Sequence, residues 1–165
     1  MTNRPAISDA QARHAFALLE RELDAVPWNR VRCECGQTGE HLASAIRDAA
    51  DPDSPARELG FDLEGHIQYD TYVYAAAVPM IGVLLQALLC DVAPGLRRDI
   101  LQNLWRIAGG EGPYADECFP RLVRGTSVLY RELEHGETAF ARDVLEALDE
   151  DDDRRAYYAR MYGEG

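Results

Sequence analysis

HIQYDTYVYAAAVPMIGVLLQALLC, residues 66–90, decides the fold. It opens with a histidine and three tyrosines and closes as a nearly unbroken apolar run containing Pro79. Val73, Ala77, Met80, Ile81, Leu84, Leu85, Leu88 and Leu89 recur at i, i+3, i+4, i+7, the spacing of one helix face. The positions between them include Ala75, Ala76, Val78, Val83, Ala87 and Cys90, which are also apolar. A helix that is apolar round most of its circumference lies in a core or in lipid. Residues 73–90 number 18, the shortest length at which a membrane span is considered. Gln86 and Pro79 interrupt the run, Asp70 and Asp91 flank it, and no arginine anchors either end. The reading is a central core helix, kinked or split near residue 78 by Pro79.

Outward from this segment the same period recurs. Before it, Ser8 is placed to cap a helix over 8–26 with Ala12, Phe16, Leu19, Leu23 and Val26 on one stripe. Pro27 stops that helix, Trp28 folds back as a hydrophobic lid, and residues 29–37 form a loop. Thr38 is expected to cap a second helix carrying Leu42, Ala45 and Ile46. DPDSP, 51–55, reads as a turn, and 54–64 as a short third helix through Leu59 and Leu63.

After the core helix, Pro94 suits the first turn of a helix with Leu96, Ile100, Leu101, Leu104 and Ile107 inward and Arg97 among its polar positions. Gly109 and Gly110 are expected to end it at positive φ. A helix over 116–134, with Pro120 in its first turn, turns Phe119, Leu122, Val123, Tyr130 and Leu133 inward. Another over 137–148 uses Phe140, Val144, Leu145 and Leu148. DEDDD, 149–153, is a solvated turn that opens a last helix through Tyr157, Tyr158, Met161 and Tyr162. No stretch alternates like a strand between hairpin turns. The fold class is all-α in a single domain over 1–165: an N-terminal helix in 1–27, antiparallel helix pairs stacked as a short solenoid or a helical bundle, and the acidic turn with its C-terminal helix in 149–165.

HIQYDTYVYAAAVPMIGVLL resembles a stretch of bacterial, mostly actinobacterial, HEAT-like repeat proteins. His66 matches its opening and Ala76, Ala77, Val78 and Pro79 match its Ala-Ala-Val-Pro, whereas Ile67 and Gln68 depart from the usual Gln-Gly and Thr71 stands where a tyrosine is usual. CGQTGEHLASAI is similar to the preceding helix of that family, with Cys35 in a tyrosine's place, and RRDILQNLWRIAGG to the following one. The resemblance covers residues 28–150. It implies an α-solenoid and carries no activity or site residue with it.

Composition bounds the function. The chain of 165 residues carries 17 basic residues against 29 acidic ones, a net charge of -12, and every basic residue is arginine. Such a surface opposes nucleic acid, whose affinity rests on phosphate neutralisation, and anionic membrane. It favours a basic partner through encounter rate and selectivity, or else serves solubility alone. The first residues, MTNRPAISDAQARHAF, lack the apolar core of a signal peptide. With the reduced thiols expected of Cys33, Cys35, Cys90 and Cys118, this leads to the expectation of a cytoplasmic protein.

His66, Tyr69, Asp70, Tyr72 and Tyr74 cluster just before the core helix. On a helix, 66, 69 or 70, and 73 would share a face, so His66 and Asp70 would form an acid–base pair. The competing reading is a polar helix start whose side chains bond orphan backbone groups. Neither a nucleophile nor a second base accompanies them, so no catalytic residue is assigned. Cys33, Cys35 and His41 offer metal donors, but C-x-C departs from the usual C-x2-C and no second pair follows, so the expectation is no metal and no cofactor. Glu58, Asp62 and Glu64 with His66 lack a known ligand order and read as a solvated acidic face. The leading function is a non-catalytic protein-binding module, immunity- or antitoxin-like, for a basic protein partner. The alternative is an enzyme or small-molecule binder with a pocket near His66, Tyr69, Asp70 and Tyr72, walled by Trp28 or Trp105. The third is a structural subunit dimerising through the aromatic C-terminal helix.

Overall fold

The computed structural model describes residues 7–135 and 138–148. The acidic turn and final helix expected over 149–165, and the dimer contact placed on them, lie outside the described residues.

The apolar run forms α3 (Ala77–Leu89), with Ala77, Met80, Ile81, Val83, Leu84, Leu85, Ala87 and Leu88 all buried. It is apolar on so many sides because four helices pack on it. These are α1 (Asp9–Asp24), α4 (Pro94–Ala108), α5 (Pro113–Arg124) and α6 (Thr126–His135). Each fully buried Leu, Ile, Val or Met side chain contributes about 1.5–3 kcal/mol relative to exposure. Pro79 does not kink the helix. α3 starts at Ala77, so Pro79 falls in its first turn, where its missing N–H has no intrahelical acceptor to lose. No helix of the described residues is long and apolar enough to cross a membrane.

α1 begins with a capping box in which Ser8 and Gln11 bond each other's backbone amides. Trp28 does fold back: it is 7% exposed and its Nε1 donates to the Leu23 carbonyl at 2.7 Å. α2 (Glu40–Ala50) packs on α1. Its cap is Gly39 rather than the expected Thr38, whose hydroxyl donates to Glu40 instead. Gly39 is needed there because a Cβ would lie 2.9 Å from the Trp28 ring.

α4 carries its apolar residues inward as expected, but Arg97 is buried too. Its guanidinium donates to the Leu88 and Cys90 carbonyls, satisfying the C-terminal end of α3, and pairs with Glu132 of α6 at 2.6 Å. The single helix expected over 116–134 is two. α5 stops at Arg124 and α6 restarts at Thr126, with Gly125 between them against the Leu85 side chain, where a Cβ would have no room. Because α5 begins at Pro113, Pro120 sits inside it rather than in a first turn, and Phe119 faces solvent. α4 ends at Gly109 with φ -95°, not the positive φ expected of a helix stop. α7 (Thr138–Ala147) packs on α4 and α6 with Val144, Leu145 and Leu148 buried. The result is an all-α bundle about α3.

The other departure is a stretch with little helix. Residues 54–64 form an irregular chain, not a helix, and 66–73 form a hairpin. Strand β1 (Gln68–Tyr69) pairs antiparallel with β2 (Tyr72–Val73). Asp70 turns the chain at φ 52°, a left-handed conformation that Asp tolerates better than most side chains. The hairpin is bonded to the α4–α5 loop, Val73 N–H donating to Glu111 O and Glu111 N–H to Thr71 O. Two-residue strands are too short for an alternating pattern to register in the sequence.

Candidate functional site

The hairpin rearranges the residues singled out before α3. In a strand, neighbours point to opposite faces, so the helical face proposed for residues 66, 69 or 70, and 73 does not exist. The His66–Asp70 acid–base pair goes with it. Gln68 turns inward, and its amide donates to Asn103 of α4 at 3.0 Å. Tyr69 turns outward and is 61% exposed.

Tyr69 and Asp70 line a cleft of about 540 Å³ together with Glu64, Trp105 and Arg106. The fold thus brings Tyr69, Asp70 and Trp105 together. The remaining three expected residues are elsewhere. Trp28 borders a separate surface cleft between α1 and α2. Tyr72 packs at a tilt beside Tyr74, 5.9 Å between centroids, and covers Gly112. His66 points to the opposite partner set described below.

A second cleft of about 550 Å³ is lined by Glu58, Phe61 and Asp62 of the irregular chain and by Gly95, Leu96 and Asp99 of α4. Gly95, Asp99 and Arg106 fall on one stripe of α4, at i, i+4 and i+11. The two clefts therefore run along one side of α4, between it and the 58–71 chain, over about 15 Å of helix rise. Glu58, Asp62, Glu64, Asp70 and Asp99 place five carboxylates along this line. Arg106 pairs with Glu64 at 2.6 Å. Further ion pairs join Arg13 to Asp53, Arg47 to Asp24 and Arg97 to Glu132. Partial burial and the neighbouring Asp62 and Glu58 carboxylates hold the Asp99 carboxyl above its ordinary range, with Arg98 opposing. Asp99 was not singled out in the sequence, because an acidic residue on a solvent-facing helix position carries no pattern.

His66 belongs to a different group. The chain from Arg32 to Thr38 makes a tight turn: Arg32 and Thr38 bridge, Cys33 N–H donates to Gln37 O, and Gly36 N–H returns to Cys33 O with Gly36 at φ +88°. This turn directs Cys33 and Cys35 to one side. His41 follows from the first turn of α2, and His66 arrives from 25 residues further along. Cys33 Sγ lies 3.2 Å from His66 Nδ1, Cys35 Sγ 3.7 Å from His41 Nε2, and the two ring nitrogens 3.3 Å apart. All four donor atoms lie within 4.8 Å of one another. His41 Nδ1 is 2.6 Å from the Thr38 carbonyl, which can only accept, so Nδ1 carries the proton and Nε2 presents a lone pair. Phe61 packs on both imidazoles, with centroids 4.8 Å from His66 and 5.7 Å from His41. Burial pushes the Cys33 thiol up to about 11, and burial with the neighbouring His41 lowers the His66 pKa. The expectation of no metal weighed three residues by their spacing; the fold adds His66 to them. Only C-x-C followed by histidine six residues later was visible, and no sequence rule points from there to a histidine in another segment.

No protein-family model, curated protein or solved structure matches this chain.

Proposed function

We propose that the protein is a non-catalytic protein-binding module whose partner is basic, engaged along the side of α4 that faces the 58–71 chain. The observation that carries this reading is the placement of Glu58, Asp62 and Asp99 in one cleft, contiguous with Tyr69 and Trp105. The Asp62 and Glu58 carboxylates lie close enough to raise the Asp99 pKa, and such a group gains from a cation placed among its members. Trp105, 42% exposed, and Tyr69 add aromatic faces on which a guanidinium or ammonium can stack. Arginine- or lysine-rich segments are the chemistry that fits, as in a basic toxin neutralised by an acidic immunity protein. The same carboxylates oppose a phosphate backbone.

A titration with an arginine-rich peptide, read by Trp fluorescence, tests it. Saturable binding that weakens in high salt is expected, with affinity lowered at least about tenfold in Glu58→Gln/Asp62→Asn/Asp99→Asn. Equal binding by that variant and the wild type would contradict the reading. A second reading, a small-molecule site, draws on the cleft shared by Tyr69, Asp70 and Trp105, whose volume falls in the range of ligand pockets. It is favoured if a small molecule protects Trp105 while the triple variant leaves peptide binding unchanged.

A further inference from the structure

We propose that Cys33, Cys35, His41 and His66 hold one structural zinc ion, which pins the hairpin-bearing chain to the start of α2. The inference stands apart from the groove along α4 and does not depend on it.

The geometry is the first argument. Zinc binds thiolate sulfur at about 2.3 Å and imidazole nitrogen at about 2.0–2.1 Å, in a tetrahedron when the site is structural. Those lengths imply edges of about 3.3 Å between two nitrogens and about 3.6 Å between sulfur and nitrogen. The measured approaches are 3.3 Å for His41 Nε2 to His66 Nδ1, 3.2 Å for Cys33 to His66 and 3.7 Å for Cys35 to His41. A proton links such atoms one pair at a time; one cation at their centre accounts for all three approaches together.

The chemistry of the donor set is the second argument. Two thiols and two imidazoles in a tetrahedral arrangement select zinc over calcium or magnesium, which take oxygen. Binding displaces one proton from each thiol, and two thiolates then neutralise the divalent charge, leaving a half-buried site without net charge. The surroundings already fix one ligand in its binding form. The Thr38 carbonyl fixes His41 in the tautomer with its lone pair on Nε2. Four protein ligands fill the tetrahedron and leave no position for water or substrate, so the site is structural and not catalytic.

The third argument is what the ion would hold. Residues 51–76 contain only two short strands as regular structure. A chain of that length with so little regular structure is uncommon in a folded domain and calls for a tie. The ligands join its His66 to the turn at Cys33–Cys35 and to α2, closing a loop of 25 residues between the histidines.

Elemental analysis of the full chain, purified under reductant, is the test, followed by chelator stripping and titration with zinc alone. About one equivalent of zinc is expected. Cobalt in its place should give the visible bands of a tetrahedral site and a thiolate charge-transfer band. Cys35→Ser, at an exposed position whose change leaves the core untouched, should lower zinc affinity at least about tenfold and weaken that band. Cys118→Ala, a buried thiol outside the cluster, should change neither. If stripping unfolds the protein, zinc should restore its helical signal. Zinc uptake by the reduced wild type below about a tenth of an equivalent would overturn the proposal, as would equal uptake by Cys35→Ser, or iron or copper in place of zinc.

Discussion

The helices around α3 and the chain from Val31 to Ala76 are two halves built by different means. In the first, side chains that water rejects meet at helical spacing, and Leu84, Leu88, Ile100 and Leu104 are fully buried with the packing supplied by four neighbours of α3. In the second, α2 is the one α-helix, and the rest is held by turns, by the Gln68–Asn103 and Val73–Glu111 bonds, and by the convergence of Cys33, Cys35, His41 and His66. The difference teaches that apolar periodicity specifies how helices pack, whereas irregular chain needs discrete polar or metal ties, each resting on a few atoms.

Several changes would sharpen that contrast. The largest effect is expected where a polar tie has been drawn into the helical half. Glu132→Ala leaves Arg97 charged and buried at 5% exposure with no carboxylate, and should cost about 3–5 kcal/mol in chemical denaturation. Next come matched truncations of two fully buried residues. Leu84→Ala, walled by helices, should cost about 3–5 kcal/mol, and Ile67→Ala, in chain free to collapse into the gap, about 2 kcal/mol. Equal losses would erase the distinction between the halves.

Gly110→Ala tests the seam between them. Its Cβ would run into the Val73 side chain and approach two backbone carbonyls of α4, so a loss of about 1–3 kcal/mol is expected, read from the thermal midpoint. The smallest effect belongs to the groove. The Asp99 carboxyl has its folded pKa above the unfolded one, so folding favours its protonated form. Its contribution to stability is complete below the ordinary carboxylate range and is lost as pH rises through the folded pKa. Asp99→Asn should therefore raise stability near neutrality by no more than about 0.5 kcal/mol, given its exposure, and the gain should vanish in acid. A loss of stability at neutral pH would show that Asp99 makes a favourable contact instead.

Much of the helical half was legible in the sequence because its information is local. The period through Leu84 and Leu88, the cap at Ser8 and the proline at residue 94 each act within a turn or two. Where local rules misled, the wider structure decided: the helix expected over 116–134 breaks at Gly125, packed against Leu85, and the start of α3 at Ala77, later than expected, made Pro79 harmless. Arg97 read as a surface residue because its partners, Glu132 and the end of α3, come from other segments. The second half was misread for the same reason, more severely. His66 was noticed for its nearness to Asp70, yet its partners lie 25 and 33 residues earlier. Tyr69, Asp70 and Trp105 come together in one cleft, while Asp99, which completes the acidic line along α4, has no sequence signature.

The central claim is that the irregular half depends on the Cys33–Cys35–His41–His66 tie and the helical half does not. Hydrogen exchange of the zinc-loaded and stripped protein, resolved by segment, tests it most directly. The account predicts that stripping deprotects residues 33–41 and 63–74, while α3 and α4 keep their protection. Unchanged exchange in 33–41 and 63–74, or loss spread evenly over both halves, would contradict it.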